Sequence, residues 1–409
     1  MNIYFIMHNF PIVYLNSNNG TGLLAFGNGH MIEATSENSS YTSLQNFITT
    51  HTGEYIFGSL SYDLKNETEH LSSKNKDRLA FPPFFFWVPK YVVELKNEDF
   101  IFLKGEKCTE SYDFLNYFLE EETDQNFHPN NFNFKAVISK EEYIEKVKIL
   151  KKEIVLGNIY EINFCQEYYA ENVDIKYPLD VYFKLNAITK APFSSYFQFG
   201  NHSVYCGSPE RFLKKTNNHL ISSPIKGTTK RGTTFEEDEE LKHNLVNDPK
   251  ERAENVMIVD LVRNDLSKIA LAKSVKVDEL CGIYSFKTVH QMISTISCEV
   301  SPETSFTDIM KATFPMASMT GVPKIRAMEL IEKHESFKRG LYSGSIGYIK
   351  PNGDFDFNVV IRSLLYNRKN KYLSCSVGGA ITHLSSPEQE YDECIVKVKK
   401  ILDGINENE

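Results

Sequence analysis

The chain lacks the features that would mark it for a membrane, a nucleic acid or an oxidising compartment. It contains no apolar run of about eighteen residues, so no segment is expected to span a bilayer. Its opening, Met1-Asn2-Ile3-Tyr4-Phe5-Ile6-Met7-His8-Asn9, lacks the basic start and long apolar stretch of a secretory leader. Positive charge is in deficit: the formal net charge is −9, which disfavours non-specific binding to nucleic acid. An anionic ligand would have to be drawn in by local cations or a metal, against the overall field. The 7 cysteines are scattered, with no Cys-x-x-Cys pair and no Cys/His cluster. That pattern suits a reducing, cytoplasmic setting and argues against a disulfide framework or a zinc site. There is 1 tryptophan, Trp87, read as a core residue.

What is present is ordinary globular material, 41% hydrophobic and 24% charged over 409 residues. That length admits two or three domains, or one large α/β body. Residues 1–130 read as a β-rich lobe: a strand within Gly53–Asp63, then neighbouring strands at Phe84–Pro89 and Tyr91–Leu95. The polar stretch Glu120-Glu121-Glu122-Thr123-Asp124 through Asn131 reads as a linker, with a second region over 131–409. Ser139 and Glu142 form a capping box for a helix carrying Tyr143, Val147, Leu150 and Ile154, ended by Gly157. Ile159–Gln166 alternates as a strand with Glu161, Asn163 and Cys165 on one face, and Ser195–Phe199 is a further strand.

The stretch Cys206–Gly232 reads as a β-hairpin turning at Thr216-Asn217-Asn218-His219. Each arm carries one reactive group, Glu210 and Lys226. Paired arms would bring an acid and an amine to one cavity, a setting for acid-assisted attack by the amine. Two solvated charges are the plainer alternative. The run Glu236–Glu240 reads as a solvated helix face. Asp248-Pro249-Lys250-Glu251 is a strong helix start, and there capping explains Glu251 but not Glu254, three positions on. Ser386-Pro387-Glu388-Gln389 opens another helix, to about Leu402, with Glu390, Glu393 and Lys397 on one stripe. Before it, a strand over Cys375–Ile381 carries Gly378 and Gly379, whose N–H groups can approach an anion closely. Arg362 stands inside the apolar stretch Asn358–Ser363, read as a strand, and needs an anionic partner from the protein or a ligand. Glutamate pairs on two helices would offer four oxygen donors to a hard cation such as Mg²⁺. With Arg362, Lys397 and the glycine amides, they would hold a small dicarboxylate.

Five segments in order, Ser208-Pro209-Glu210-Arg211-Phe212, Pro224-Ile225-Lys226-Gly227-Thr228, Arg252-Ala253-Glu254-Asn255 leading into Val259–Leu266, Met319-Thr320-Gly321-Val322-Pro323-Lys324 and Glu390-Tyr391-Asp392-Glu393, resemble the signatures of the chorismate-utilising enzymes. That family includes anthranilate synthase component I, aminodeoxychorismate synthase component I, isochorismate synthase and salicylate synthase. The resemblance covers Ser139 to Leu402, and the first lobe only around Gly58–Asp63. It implies an α/β (α+β) fold of the anthranilate-synthase type, two central packed β-sheets with helices outside. It also implies that Glu254 and Glu393 bind Mg²⁺ with support from Glu251 and Glu390. Tyr342, Arg362, Gly378 and Gly379 would grip the enolpyruvyl carboxylate, with Lys397 matching a nearby lysine. Gly227 and Thr228 would line the ring, with His290 beside it. Ala380 departs from a third glycine common in the family.

Lys226 resembles the lysine of aminodeoxychorismate synthases, where anthranilate synthases usually carry alanine. Glu161 stands where isochorismate and salicylate synthases need a lysine and the other two branches typically show glutamine; its role stays open. The resemblance thus implies that Lys226 adds to C2 of chorismate while Glu210 protonates the departing C4 hydroxyl. Ammonia from a separate glutamine amidotransferase subunit then enters at C4, giving 4-amino-4-deoxychorismate for p-aminobenzoate and folate. A lysine titrating ordinarily near about 10.4 must be depressed for this; burial, Mg²⁺ and nearby Lys230 or Arg231 are the expected causes. The rivals are anthranilate synthase component I, isochorismate synthase and a non-catalytic chorismate-binding subunit. Against the first stands a short first lobe without a Leu-Leu-Glu-Ser feedback motif.

Overall fold

Period-two alternation dominates the chain and builds two large antiparallel sheets. The computed structural model describes residues 10–35, 40–69, 71–97, 99–123, 127–128, 130–287 and 289–406. The leader question at Met1–Asn9 and the linker residues Asp124–Asn126 and Pro129 lie outside these. In the first sheet the order runs Gly321–Val322, Glu161–Glu171, Tyr372–Ile381, Ser363–Asn367, His202–Ser208, Phe193–Phe199, Ile12–Asn16, Thr21–Phe26, Tyr91–Lys96 and Asp99–Lys104. In the second it runs Ile225–Lys230, Val289–Glu299, His219–Ser223, Arg211–Thr216, Phe355–Asn358, Ser345–Ile349, Ile56–Leu60, Phe84–Trp87 and Met31–Glu33. Early and late segments share both sheets.

One core cluster fills the space between the sheets, with Phe57, Phe86, Phe197, Val204 and Phe357 among its members. A second joins the outer face of the first sheet to its helices through Ile162, Phe164, Tyr143, Val147, Leu179, Cys394 and Val398. Along Glu161–Glu171 the alternation therefore sorts two environments. Ile162, Phe164 and Tyr168 pack under helices, whereas Cys165 faces the inter-sheet core. No described helix is long and apolar enough to cross a membrane.

The expected helix starts are present. Ser139 caps Lys140–Val155 by accepting from the Glu142 N–H, and Gly157 follows at φ +76°. Asp248 caps Pro249–Ser267 by accepting from the N–H groups of Lys250 and Glu251. The last helix begins at Pro387 and continues past Leu402 to Asn406. Trp87 is fully buried, its Nε1 donating to the Gly27 carbonyl at 3.1 Å.

Other expectations are corrected. Phe84–Trp87 and Tyr91–Lys96 are not neighbours, because the chain changes sheets between them at Pro89-Lys90 and each pairs in a different sheet. Glu120, Glu121 and Glu122 are not linker residues; they form the last turn of the helix Thr109–Thr123. Asn358–Ser363 is not one strand, since one strand ends at Asn358 and the next starts at Ser363. Between them Arg362 adopts φ +51°, a left-handed conformation that breaks the ladder. The hairpin forms over Arg211–Thr216 and His219–Ser223, but Ile225–Lys230, which bears Lys226, pairs with Val289–Glu299 instead.

Candidate functional site

Lys226 and Glu210 reach one buried region from adjoining strand ends. Lys226 Nζ donates to Glu161 Oε1 at 2.8 Å, with the lysine 8% exposed and the glutamate 1%. Glu161 is the first residue of its strand, on the inter-sheet face with Asn163 and Cys165, so the alternation read from sequence aims it inward. Its second oxygen, Oε2, is buried and has no hydrogen-bond partner. Glu210 is fixed by its backbone: its N–H donates to Ser208 Oγ at 3.2 Å and its carbonyl accepts from the Val359 N–H at 3.0 Å. Ser318 Oγ donates to Glu210 Oε1 at 2.6 Å.

Burial pushes the Glu210 carboxyl up to about 7, although Ser318 and the Lys226 charge pull the other way. It therefore titrates near neutrality. For Lys226 the protein's own groups do not supply the expected depression. Burial does pull its pKa down, but the charges of Glu161, Glu254 and Glu210 outweigh it and hold the ammonium form above the ordinary lysine value. The cations expected to depress it are engaged elsewhere, Lys230 on Glu237 at 3.2 Å and Arg231 on Asp238 at 2.7 Å.

The glutamates meet where the helices Pro249–Ser267 and Pro387–Asn406 face the strand of Lys226. Glu254 is 5% exposed, and its Oε1 has no hydrogen-bond partner. Burial raises it to about 8, with Glu161 and Glu251 adding to the rise and Lys226 and Lys250 opposing it. Glu251 is likewise raised, chiefly by burial. Lys250 Nζ lies 3.1 Å from Glu390 Oε1 and 3.9 Å from Glu254 Oε1, tying the two helices together. Glu393 is held by Lys397 at 2.6 Å; burial would raise its pKa, but Lys397 leaves it net lowered. Among the described residues no three acidic, histidine or cysteine side chains form a ready-made metal cluster. Mg²⁺ needs only one or two carboxylates with waters and substrate oxygens, and the Glu254 oxygen that makes no hydrogen bond, beside Glu251 and Glu390, fits that requirement.

The residues assigned to carboxylate and ring binding are distributed around this centre. Arg362 stands near Glu210; burial lowers its pKa and only the Glu210 charge opposes. Among the described residues no hydrogen bond or ion pair engages its guanidinium. Gly378 lies opposite Cys165, where a Cβ would strike the Cys165 sulfur and come 2.9 Å from Asn163 Oδ1. Its carbonyl accepts from Lys397 Nζ at 3.2 Å. A Cβ on Gly379 would lie 3.4 Å from Glu390 Oε2, so this backbone borders the glutamates. Tyr342 is buried, contacts the Cys165 thiol, and is raised well above the ordinary tyrosine value by burial. Gly227 takes φ +86° next to Glu251, and Thr228 is exposed across from Gln291. His290 is fully buried, its Nε2 2.9 Å from Asp238 Oδ1 and its Nδ1 2.8 Å from Ser285 Oγ, so both ring nitrogens are committed within the protein.

That last contact corrects the reading of Glu236–Glu240 as wholly solvated, because Asp238 turns inward to His290, Arg231 and the Gly232 N–H. Sequence reasoning also missed Ser318, Lys250 and the pair Arg339–Glu335. The i,i+4 spacing of Lys250 and Glu254 was a visible signal. Nothing local marks Ser318, whose carbonyl is held by Asn163 Nδ2 at 3.0 Å. Arg339 donates to Glu335 at 2.6 Å and to the carbonyls of Met319 and Asn163 at 2.7 and 2.8 Å. Glu335 in turn accepts the Cys165 N–H at 2.9 Å.

Comparison with known proteins identifies the family. Residues 10–403 match the family described as chorismate binding enzyme. The chain is 36% identical over 377 residues to the chloroplastic aminodeoxychorismate synthase of Arabidopsis thaliana, covering 87% of this chain and 40% of that protein. It is 37% identical over 270 residues to aminodeoxychorismate synthase component 1 of Escherichia coli strain K12, covering 66% of this chain and 59% of that one. The chain thus spans less than two thirds of these relatives. Among solved structures, anthranilate synthase component I from Streptococcus pneumoniae TIGR4 superposes with a TM-score of 0.75 at 27% identity, covering 96% of this chain and 90% of that one. With its motifs, its two-sheet architecture and a match over nearly its full length in agreement, the chain belongs to the family of chorismate binding enzymes.

Proposed function

We propose that the protein is the chorismate-aminating component of an aminodeoxychorismate synthase, converting chorismate and ammonia to 4-amino-4-deoxychorismate. The observation that carries this is the buried side chain of Lys226 facing Glu210, a carboxyl that burial raises to about 7. A nucleophile and an acid are thereby supplied by the protein itself. Lys226 first gives up one proton to solvent, its freed lone pair forms the Nζ–C2 bond as the C4–O bond breaks, and Glu210 protonates the departing hydroxyl to water. The proton then shed by the bonded Nζ restores that of Glu210, and Glu161 remains a carboxylate. Ammonia then bonds to C4 and the C2–Nζ bond breaks.

Arg362, Tyr342 and the Gly378-Gly379 backbone would hold the enolpyruvyl carboxylate, and Glu254, Glu393, Glu251 and Glu390 would hold Mg²⁺. Bound there, Mg²⁺ supplies Lewis-acid polarisation of the ring carboxylate. A separate glutamine amidotransferase is the proposed ammonia source, in keeping with the name component 1 of the E. coli relative. The likeness to an anthranilate synthase component I favours that activity as the second reading. Incubation with chorismate, Mg²⁺ and ammonium decides between them: 4-amino-4-deoxychorismate is expected, and fluorescent anthranilate as sole product would overturn the proposal.

A further inference from the structure

Glu161 is 1% exposed and uses one carboxylate oxygen on Lys226 at 2.8 Å, while the other, equally enclosed, has no partner. A buried carboxylate oxygen left unpaired costs more than a made bond gains, so the position is built for an N–H or O–H donor that arrives from outside. Chorismate is a dianion and would be repelled by a free carboxylate oxygen. A small cation would be attracted. Glu161 begins a strand that pairs with Tyr372–Ile381 on one side and, at this end, with the two-residue edge strand Gly321–Val322 on the other.

We infer that Glu161 Oε2 is the ammonium subsite of the reaction, receiving NH₄⁺ and taking one of its protons. This rests on the reading under Proposed function. With Lys226 joined to C2, ammonium gives a proton to Glu161 and its freed lone pair forms the N–C4 bond. The C2–Nζ bond breaks with its electron pair returning to Lys226. Glu161 passes the proton to Lys226 across the 2.8 Å contact, and Lys226 regains from solvent the one it first gave up, restoring the resting ion pair. Protons and charge then balance over the turnover.

The test uses the full chain with saturating chorismate and Mg²⁺, ammonium chloride as the varied substrate, and sodium chloride holding ionic strength constant. Glu161→Gln keeps the shape and the contact to Lys226 but removes the charge. Its KM for ammonium is expected to rise by about tenfold or more, the loss of one charged hydrogen bond. Its KM for chorismate should stay within twofold, and a mass shift for chorismate-derived addition to Lys226 should still form without ammonium. A structural defect would raise both KM values together and overturn the assignment. Should the variant not fold, methylammonium chloride serves on the unaltered protein: competition with ammonium but not with chorismate supports the subsite, and its absence refutes it. If the unaltered protein makes no 4-amino product from ammonium, the proposed function falls and takes this inference with it. If it does and Glu161→Gln keeps its ammonium KM within twofold, only the role of Glu161 falls.

Discussion

The Ser318 hydroxyl lies 2.6 Å from Oε1 of Glu210, joining two buried residues 108 positions apart. The bond stabilises the carboxylate form, against the burial that raises this group to about 7. An acid must carry its proton, so kcat/KM is expected to fall as pH rises through about 7. Removing the hydroxyl in Ser318→Ala raises the Glu210 pKa further, and the alkaline limb should move to higher pH; Ser318→Thr should leave it in place. A limb unmoved in the alanine variant would separate Glu210 from the acid step. By linkage, a raised carboxyl contributes fold stability that is full below its unfolded pKa and is lost as pH rises through about 7.

Lys226 is the nucleophile in the proposed addition. Lys226→Ala should abolish the mass shift that chorismate leaves on the protein and slow amination by about a hundredfold or more. Residual turnover, with ammonia attacking directly, is compatible with that outcome. Full turnover with no adduct in either protein would remove Lys226 from the mechanism.

Arg362 is half-buried with its guanidinium uncommitted among the described residues, a condition that a carboxylate ligand relieves. Arg362→Lys keeps the charge but not the two-pronged geometry. The expected result is a KM for chorismate raised about ten- to a hundredfold with an unchanged KM for ammonium. Equal rises in both would point to a folding defect.

For the glutamates, chelation with EDTA should stop product formation and added Mg²⁺ should restore it. Glu254→Gln is expected to raise the Mg²⁺ concentration for half-maximal rate by about tenfold or more, since it removes a charged oxygen donor. Unaltered activity in EDTA would exclude the proposed metal.

Arg339 and Glu335, both almost fully buried, fasten Asn163, Cys165 and Met319 to one another. Arg339→Ala leaves Glu335 as an unpaired buried charge, and chemical denaturation should show a loss of about 3–5 kcal/mol. A change near zero would mean that Glu335 is carried protonated at little cost.

The helix caps at Ser139 and Asp248, the turn at Asn217-Asn218, the inward face of Glu161 and the five family segments were all legible in the amino-acid order. Each depends on contacts within a few residues or on a simple period. The sheet to which a strand belongs was not legible. Phe84–Trp87 and Tyr91–Lys96 read alike, yet pair in different sheets, because pairing depends on partners far along the chain.

The sequence by itself determined which groups the site could contain: an amine, an acid, four glutamates, an arginine and paired glycines. Only the tertiary structure decided their charge states. Lys226 reads as an amine awaiting depression, but folding sets Glu161, 65 positions away, against it together with Glu254 and Glu210, so it rests as an ammonium ion. For Glu210 burial outweighs the neighbouring cation and raises the carboxyl to about 7. A pKa measures desolvation and neighbouring charge, and both are properties of the assembled interior that no local pattern encodes.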